Sequence, residues 1–188
     1  MKTIILSACL ILLFMNVFSQ DKNDTIKKID QEVQFMKIDS NYWITTKYNE
    51  TFLDTGFIRQ AGKGFGQLTG FFKNGMVCRI QEIIGIKLLS DVAITEYYFS
   101  DGKLIFVYES ESYGPSILID SSGTVDKKLN KCDFEGSYYF NDDKMFKSIT
   151  KGKQQILPNE LYFDSQSKEG QLMLSAEKYK SLLSVKLK

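Results

Sequence analysis

Carboxylates are the side chains in this sequence that are best placed for catalysis. Glu96 and Glu109 flank the Asp101-Gly102 turn, and a two-residue turn puts Ile94 opposite Glu109 with Glu96 diagonal to it. Two neighbouring acids with different pKa values can hydrolyse a glycosidic bond. The sequence has no histidine, which excludes Ser-His-Asp and Cys-His catalysis and histidine-based metal sites. A carboxylate-based hydrolase is one hypothesis, and its alternative is that these acids simply occupy a solvated face.

We predict that the glycine-rich segment 56–70 is a loop or a glycine-bearing edge strand, and it offers a second kind of site. Gly62-Lys63-Gly64 looks like part of a phosphate loop, but Gly64 stands where Ser or Thr would bind magnesium, so we predict no cofactor. Loops often carry binding residues, and aromatic residues outside the repeated hairpins are further candidates for exposed contacts. The candidate ligand-binding residues are Lys63, Phe65, Tyr42, Trp43 and Tyr113.

Two cysteines, Cys78 and Cys132, follow the N-terminal apolar segment. In an oxidising compartment such a pair can form a disulfide. Free cysteine also packs as a small hydrophobic residue, so two buried thiols are the alternative and the sequence leaves both open. Two cysteines without histidine cannot complete a four-ligand zinc site, and we predict no metal.

The N-terminus predicts export. Lys2 precedes an apolar run, and Val17 and Ser19 are the small residues expected at −3 and −1 of a signal-peptide cleavage site. We therefore expect residues 1–19 to be cleaved and the protein to be secreted or periplasmic in a bacterium. Lipidation at Cys9 is the alternative, but the apolar stretch before it is shorter than the roughly 7 to 15 residues that a signal needs.

Charge and hydropathy narrow the choice of partners. The chain has 24 basic and 23 acidic residues, which predicts no nucleic-acid partner, because such a partner favours a basic face. No later segment approaches the roughly 20 apolar residues of a membrane span, so we expect none after cleavage. Residues 20–188 then form a single β-rich domain whose partner is an unknown protein or small ligand.

Three turn sequences indicate β-hairpins: Asn74-Gly75, Asp101-Gly102 and Asp142-Asp143, each between apolar runs. Helical periodicity marks both ends, from about Asp24 to Asp39 and again over the last twenty or so residues. The predicted fold is α+β: a twisted antiparallel meander of about six to eight strands, with N- and C-terminal helices packed on it.

The hairpins carry a resemblance as well. Thr95–Phe99 with Gly102–Glu109, together with Gln67–Phe72 and Gly136–Phe140, resemble a family of small, secreted, uncharacterised bacterial β-rich proteins with tandem aromatic hairpins. They are also loosely similar to MORN-type repeats, although the spacing between turns is unequal. The resemblance implies a common fold and an extracellular or envelope location, and it implies no activity.

These observations favour a non-catalytic binding or envelope-associated module. The hydrolase described above is the first alternative, and a small protein inhibitor of a secreted enzyme is the second. An inhibitor differs from the other two in requiring a stoichiometric complex with its enzyme.

Overall fold

The computed structural model describes residues 22–48, 64–86, 91–112, 132–154 and 167–184. The chain divides into two compact units, Met1–Asp39 and Ser40–Lys188. The predicted signal peptide and the Cys9 alternative lie outside the described residues. No helix in the described ranges is long and apolar enough to cross a membrane.

The first unit contains helix α1, residues 22–38. Its apolar positions recur at helical spacing, and Ile29 and Val33 are buried as that spacing predicts. Phe35 and Ile38, on other sides of the helix, are 70% and 74% exposed. The N-terminal helix is therefore confirmed, starting two residues before Asp24.

The second unit is built on a seven-stranded antiparallel sheet. Its strands are β1 (Trp43–Tyr48), β2 (Gly64–Lys73), β3 (Met76–Ile86), β4 (Asp91–Ser100), β5 (Lys103–Ser112), β6 (Cys132–Asn141) and β7 (Lys144–Gly152). Their order in the sheet is their order in the chain, which is the predicted meander. From Gly64 onward the glycine-rich segment is neither a loop nor an edge strand, because it belongs to β2, which lies between β1 and β3.

The three predicted turns are all formed. Both central residues have positive φ in each, at Asn74 and Gly75, at Asp101 and Gly102, and at Asp142 and Asp143. Positive φ at both positions defines the type I′ turn, whose twist matches that of the flanking strands. Turn chemistry therefore explains why β2–β3, β4–β5 and β6–β7 are hairpins.

Each hairpin also contains a β-bulge after the second residue pair beyond its turn. Phe99 pairs with Leu104 as the turn predicts, but Tyr98 pairs with Phe106 because Ile105 is an extra residue. The bulge recurs at the corresponding positions of the other two hairpins, where Cys78 and Phe146 are the extra residues. Every pairing beyond the bulge is thus displaced by one residue from a regular ladder.

Helix α2 (Lys168–Ser184) packs on one face of the sheet. Leu172, Ala176, Tyr179 and Leu183 are its buried positions, as the periodicity predicts. They meet a core of strand residues, namely Leu68, Phe72, Val77, Ile80, Tyr97, Phe99, Leu104, Val107, Tyr138 and Phe140. Gly70 allows the close approach, because a Cβ there would lie 2.9 Å from Leu183 Cδ1. The α+β meander is confirmed, with α2 as the helix that covers this face.

Candidate functional site

The bulge in the second hairpin separates the two acids of the hydrolase hypothesis. Glu109 pairs with Thr95, and Glu96 pairs with Tyr108. Because directly paired residues share a face and neighbours along a strand alternate, Glu96 and Glu109 project from opposite faces of the sheet. The expectation that they form a close pair is therefore wrong, and the single extra residue Ile105 is the cause.

Glu96 lies on the face away from α2, where it is buried. Arg79 Nη2 lies 2.6 Å from its Oε1, and Gln81 Nε2 donates to the same oxygen at 3.1 Å. The Tyr98 hydroxyl donates to Oε2 at 2.7 Å. Burial, followed by the Glu96 charge, raises the pKa of Tyr98, which keeps this hydroxyl a donor. Both carboxylate oxygens of Glu96 are thus occupied by donors from its own sheet.

Glu109 lies on the α2 face and is 3% exposed. The Tyr138 hydroxyl donates to it at 2.9 Å, and Lys168 Nζ, at the start of α2, lies 2.8 Å from its carboxylate. Gln154 Nε2 makes a longer contact of 3.4 Å. Gly136, which pairs with Glu109, makes room for this arrangement, because a Cβ there would lie 2.7 Å from the Tyr138 hydroxyl.

Glu82 is a second buried acid on the α2 face, and the sequence reasoning missed it. The Tyr179 hydroxyl of α2 donates to Glu82 Oε1 at 2.5 Å. Burial is the main reason that the pKa of Glu82 rises to about 7, against the lowering effects of Tyr179 and Lys178. A signal existed in the sequence, since Glu82 is flanked by Ile80 and Ile83–Ile84 in a strand that is otherwise apolar on this face.

Two of the acids on the α2 face, Glu82 and Glu109, bind side chains of the helix. Glu82 and Glu109 occupy one row across the sheet, separated by Thr95 on β4. Tyr179 donates to the first acid and Lys168 pairs with the second, so the helix is held at its first residue and again eleven residues later. Chemically, this arrangement orients α2 and satisfies buried carboxylates, and each acid receives its donors from within the protein.

A different kind of site lies where β1, β2 and β3 meet. We call it the aromatic corner and define it as Tyr42, Trp43, Ile44, Phe71 and Met76. Ile44 pairs directly with Phe71, so the two share a face, and the Tyr42 ring packs edge-on to Phe71 at 6.2 Å. Trp43 projects from the other face and packs on Phe72, with ring centroids 5.2 Å apart.

Large apolar side chains at the aromatic corner reach solvent. Trp43 is 50% exposed, Ile44 54% and Met76 53%. Two cations lie beside aromatic rings of the corner. Lys73 Nζ is 6.0 Å from the Tyr42 ring centroid, and Arg79 Cζ is 4.5 Å from the Phe71 ring centroid. Trp43 and its neighbours are anchored by β-pairing and ring contacts, so the exposed groups are held by a rigid element.

The structure describes only some of the predicted binding residues. Tyr42 and Trp43 come together in the aromatic corner, whereas Lys63 and Tyr113 lie outside the described residues. Phe65 is placed only by its backbone, in β2 and paired with Gly85 on β3. Ile44 and Met76 were missed because exposure at a sheet corner depends on strand order, which periodicity does not reveal.

Cys78 and Cys132 are both free thiols. Cys78 is the extra residue of the first bulge, and Cys132 begins β6. β4 and β5 lie between their strands, and three strand spacings of about 4.8 Å exceed the separation of about 6 Å that a disulfide allows. The two cysteines are therefore too far apart to be bridged in this structure, and they are not both buried, because Cys132 is exposed and Cys78 is half-buried. Burial and the Glu135 charge raise the pKa of Cys132.

No group of three or more potential ligands is placed to hold a metal ion within the described ranges. Comparisons with protein-family models, with curated proteins and with solved structures return no match.

Proposed function

We propose that this protein is an exported, non-catalytic binding module of the bacterial envelope that holds a protein partner on the aromatic corner. The observation that supports this proposal is the half-exposure of Trp43, Ile44 and Met76 at one corner of a rigid sheet. Aromatic residues and Met are enriched in the buried centres of protein interfaces. Export is expected from residues 1–19 and is part of the proposal.

The chemistry of the corner favours a protein surface with an apolar centre. Trp43 and Ile44 project from opposite faces of the edge strand β1, so a partner can contact the edge from both sides. The packing of the Trp43 ring on Phe72 restricts the motion of Trp43, which reduces the entropy lost on binding. Lys73 is exposed beside Tyr42 and favours an acidic group at the rim of the partner.

The buried acids offer less support for hydrolysis. The hydrolase hypothesis needs two acids on one side of a substrate, but Glu96 and Glu109 lie on opposite faces. Glu96 is held by Arg79, and Glu109 by Lys168 and Tyr138. A carboxylate fixed by a cation and a hydroxyl is a structural group first, so we prefer the binding function.

Native mass spectrometry of the protein purified from its own host tests the proposal. We expect a retained protein partner and a mature mass that begins at Gln20. A variant with Ile44→Ser and Met76→Ser should lose the partner while its melting temperature stays close to that of the wild type, because both side chains are half-exposed.

The matched control is Phe35→Ser with Leu174→Ser, which removes two other exposed apolar side chains, 70% and 49% exposed, from the two helices. The control should keep the partner. Equal loss of the partner in both variants would show that general surface hydrophobicity, not the aromatic corner, holds it. Retention of the partner by the Ile44 and Met76 variant would contradict the proposal directly.

A further inference from the structure

The last strand of the sheet presents a second surface, of a different chemistry. β7 is nine residues long, and in the part of the chain that the structure describes it pairs only with β6. Residues 147–152 are all exposed. An edge strand has a row of backbone N–H and C=O groups that can pair with another extended chain.

The charge of this edge is one-sided although the chain as a whole is nearly neutral. Residues 144–154 contain four lysines and no acid: Lys144, Lys147, Lys151 and Lys153. Some lysines elsewhere have carboxylate partners, as Lys103 has Asp142 and Lys168 has Glu109. None of the four edge lysines makes an ion pair within the described residues.

The pairing with β6 arranges part of this edge in a regular pattern. Lys147, Ile149 and Lys151 pair with Tyr139, Ser137 and Glu135, so the three project from the face away from α2. Ile149 stands between the two lysines and is 52% exposed. Alternate residues on a strand are roughly 6.8 Å apart, which spaces a cation, an apolar group and a cation evenly along the edge.

We propose that β7 accepts an extended acidic peptide as an eighth strand of the sheet. The acceptor pattern of Lys147, Ile149 and Lys151 fits a peptide with acid, apolar and acid side chains at alternate positions. Charges of opposite sign that face each other across neighbouring strands stabilise the pairing of those strands, and so do apolar side chains that face each other. The backbone groups of the edge supply hydrogen bonds that a strand can use, and Ile149 adds an apolar contact that a uniformly charged polymer would leave unused.

Edge lysines also prevent self-association of sheets, so the experiment must separate the two roles. The probe is a fluorescent peptide of sequence Thr-Glu-Thr-Val-Thr-Glu-Thr, which reads alike in both directions and matches the pattern in either orientation. Fluorescence anisotropy at low salt measures its binding to the full-length protein. We expect binding that weakens as salt rises, because the charges are exposed.

Variants identify the surface. Lys147→Gln with Lys151→Gln should weaken binding of the probe by about tenfold, the sum expected for two cross-strand charge pairs. Lys22→Gln with Lys28→Gln removes two exposed lysines of α1 and should leave the affinity unchanged. Equal affinities of the wild type and the Lys147 and Lys151 variant would overturn the proposal.

A backbone-modified peptide distinguishes strand addition from simple charge attraction. N-methylation of every residue keeps both glutamates and removes the N–H donors of both edges, so we expect binding to be lost in either orientation of the probe. If the N-methylated peptide or an anionic polysaccharide binds as tightly as the probe, β7 is a charge patch and not a strand acceptor. If the wild type does not bind the probe while the Lys147 and Lys151 variant aggregates, the lysines serve only to protect the edge. Either result would overturn the proposal.

Discussion

Tyr179 of α2 donates a 2.5 Å hydrogen bond to Glu82 of β3, across the interface between the helix and the sheet. The acid is buried, and burial raises its pKa to about 7 from 4.5. The contact therefore joins the C-terminal helix to a group that titrates near neutral pH. Stability should depend on pH for this reason.

The sign of the pH dependence follows from proton binding. Between pH 4.5 and 7 the folded protein holds the Glu82 proton more tightly than the unfolded chain does, so its contribution to stability falls as pH rises through this window. The fall is on the order of 3 kcal/mol and levels off above pH 7. Urea denaturation at a series of pH values measures it.

Glu82→Gln is the control for this prediction, because the amide oxygen can still accept from Tyr179 and does not titrate. The difference in unfolding free energy between wild type and variant should change across pH 4.5 to 7 and favour the variant at pH 8. Parallel stability curves for the two proteins would contradict the assignment to Glu82.

The Lys168–Glu109 contact should matter more than a surface ion pair. Lys168→Met leaves the Glu109 carboxylate buried with weaker donors, and loss of one partner from a buried pair costs about 3–5 kcal/mol. The Lys168 side chain is 24% exposed, so we expect a smaller loss of about 2 kcal/mol. Denaturation with urea at pH 7 gives the value.

Lys103→Met is the matched control, since it breaks an exposed pair with Asp142 and should change the unfolding free energy little. Adding Glu109→Gln to Lys168→Met should recover part of the loss, because the unpaired charge is removed. If the double variant is as unstable as the sum of its single changes, Lys168 acts through packing alone.

The sequence was sufficient to predict the turns, but it was insufficient to predict the strand pairing beyond them. Asp101-Gly102 specifies its hairpin and the pairing of Phe99 with Leu104, because only a few residue types adopt the positive φ of a type I′ turn. The bulge at Ile105 has no comparable local signature. It moves Glu109 to the face opposite Glu96, and a prediction that depended on their proximity failed with it.

The burial of polar residues was also hard to predict from the sequence. The apolar stripe of α2 specified its buried face, but nothing in that stripe showed that Lys168 and Tyr179 would meet acids on β5 and β3. Those contacts depend on where the helix crosses the sheet. The sequence identified two members of the aromatic corner, Tyr42 and Trp43. It did not identify the others, because they become neighbours of these two only through the strand order.

The third hairpin offers a direct test of turn chemistry. Asp143 has φ of 60° at the position where the other two turns have Gly75 and Gly102. Asp143→Gly should stabilise the protein by about 0.5 kcal/mol. Positive φ has a steric cost for aspartate that glycine avoids, and we expect this cost to exceed the extra conformational entropy that glycine loses on folding. Gly102→Asp creates the same Asp-Asp pair in the second hairpin and should have the opposite sign. Urea denaturation of both variants checks the prediction, and a change of the same sign in both would contradict it.

The free thiol of Cys132 should respond to its neighbour Glu135. Burial is the larger cause of its raised pKa and the Glu135 charge the next, so Glu135→Gln should lower that pKa and increase the thiolate fraction at pH 8. Labelling of the native protein with a thiol reagent should then be faster in the variant. The Tyr108 hydroxyl, which donates to Glu135 at 3.0 Å, can donate to the glutamine oxygen instead, so the local structure should persist. In the unlabelled protein the denatured mass should be the same before and after reduction, and a gain of two hydrogens would show a disulfide that the fold does not accommodate.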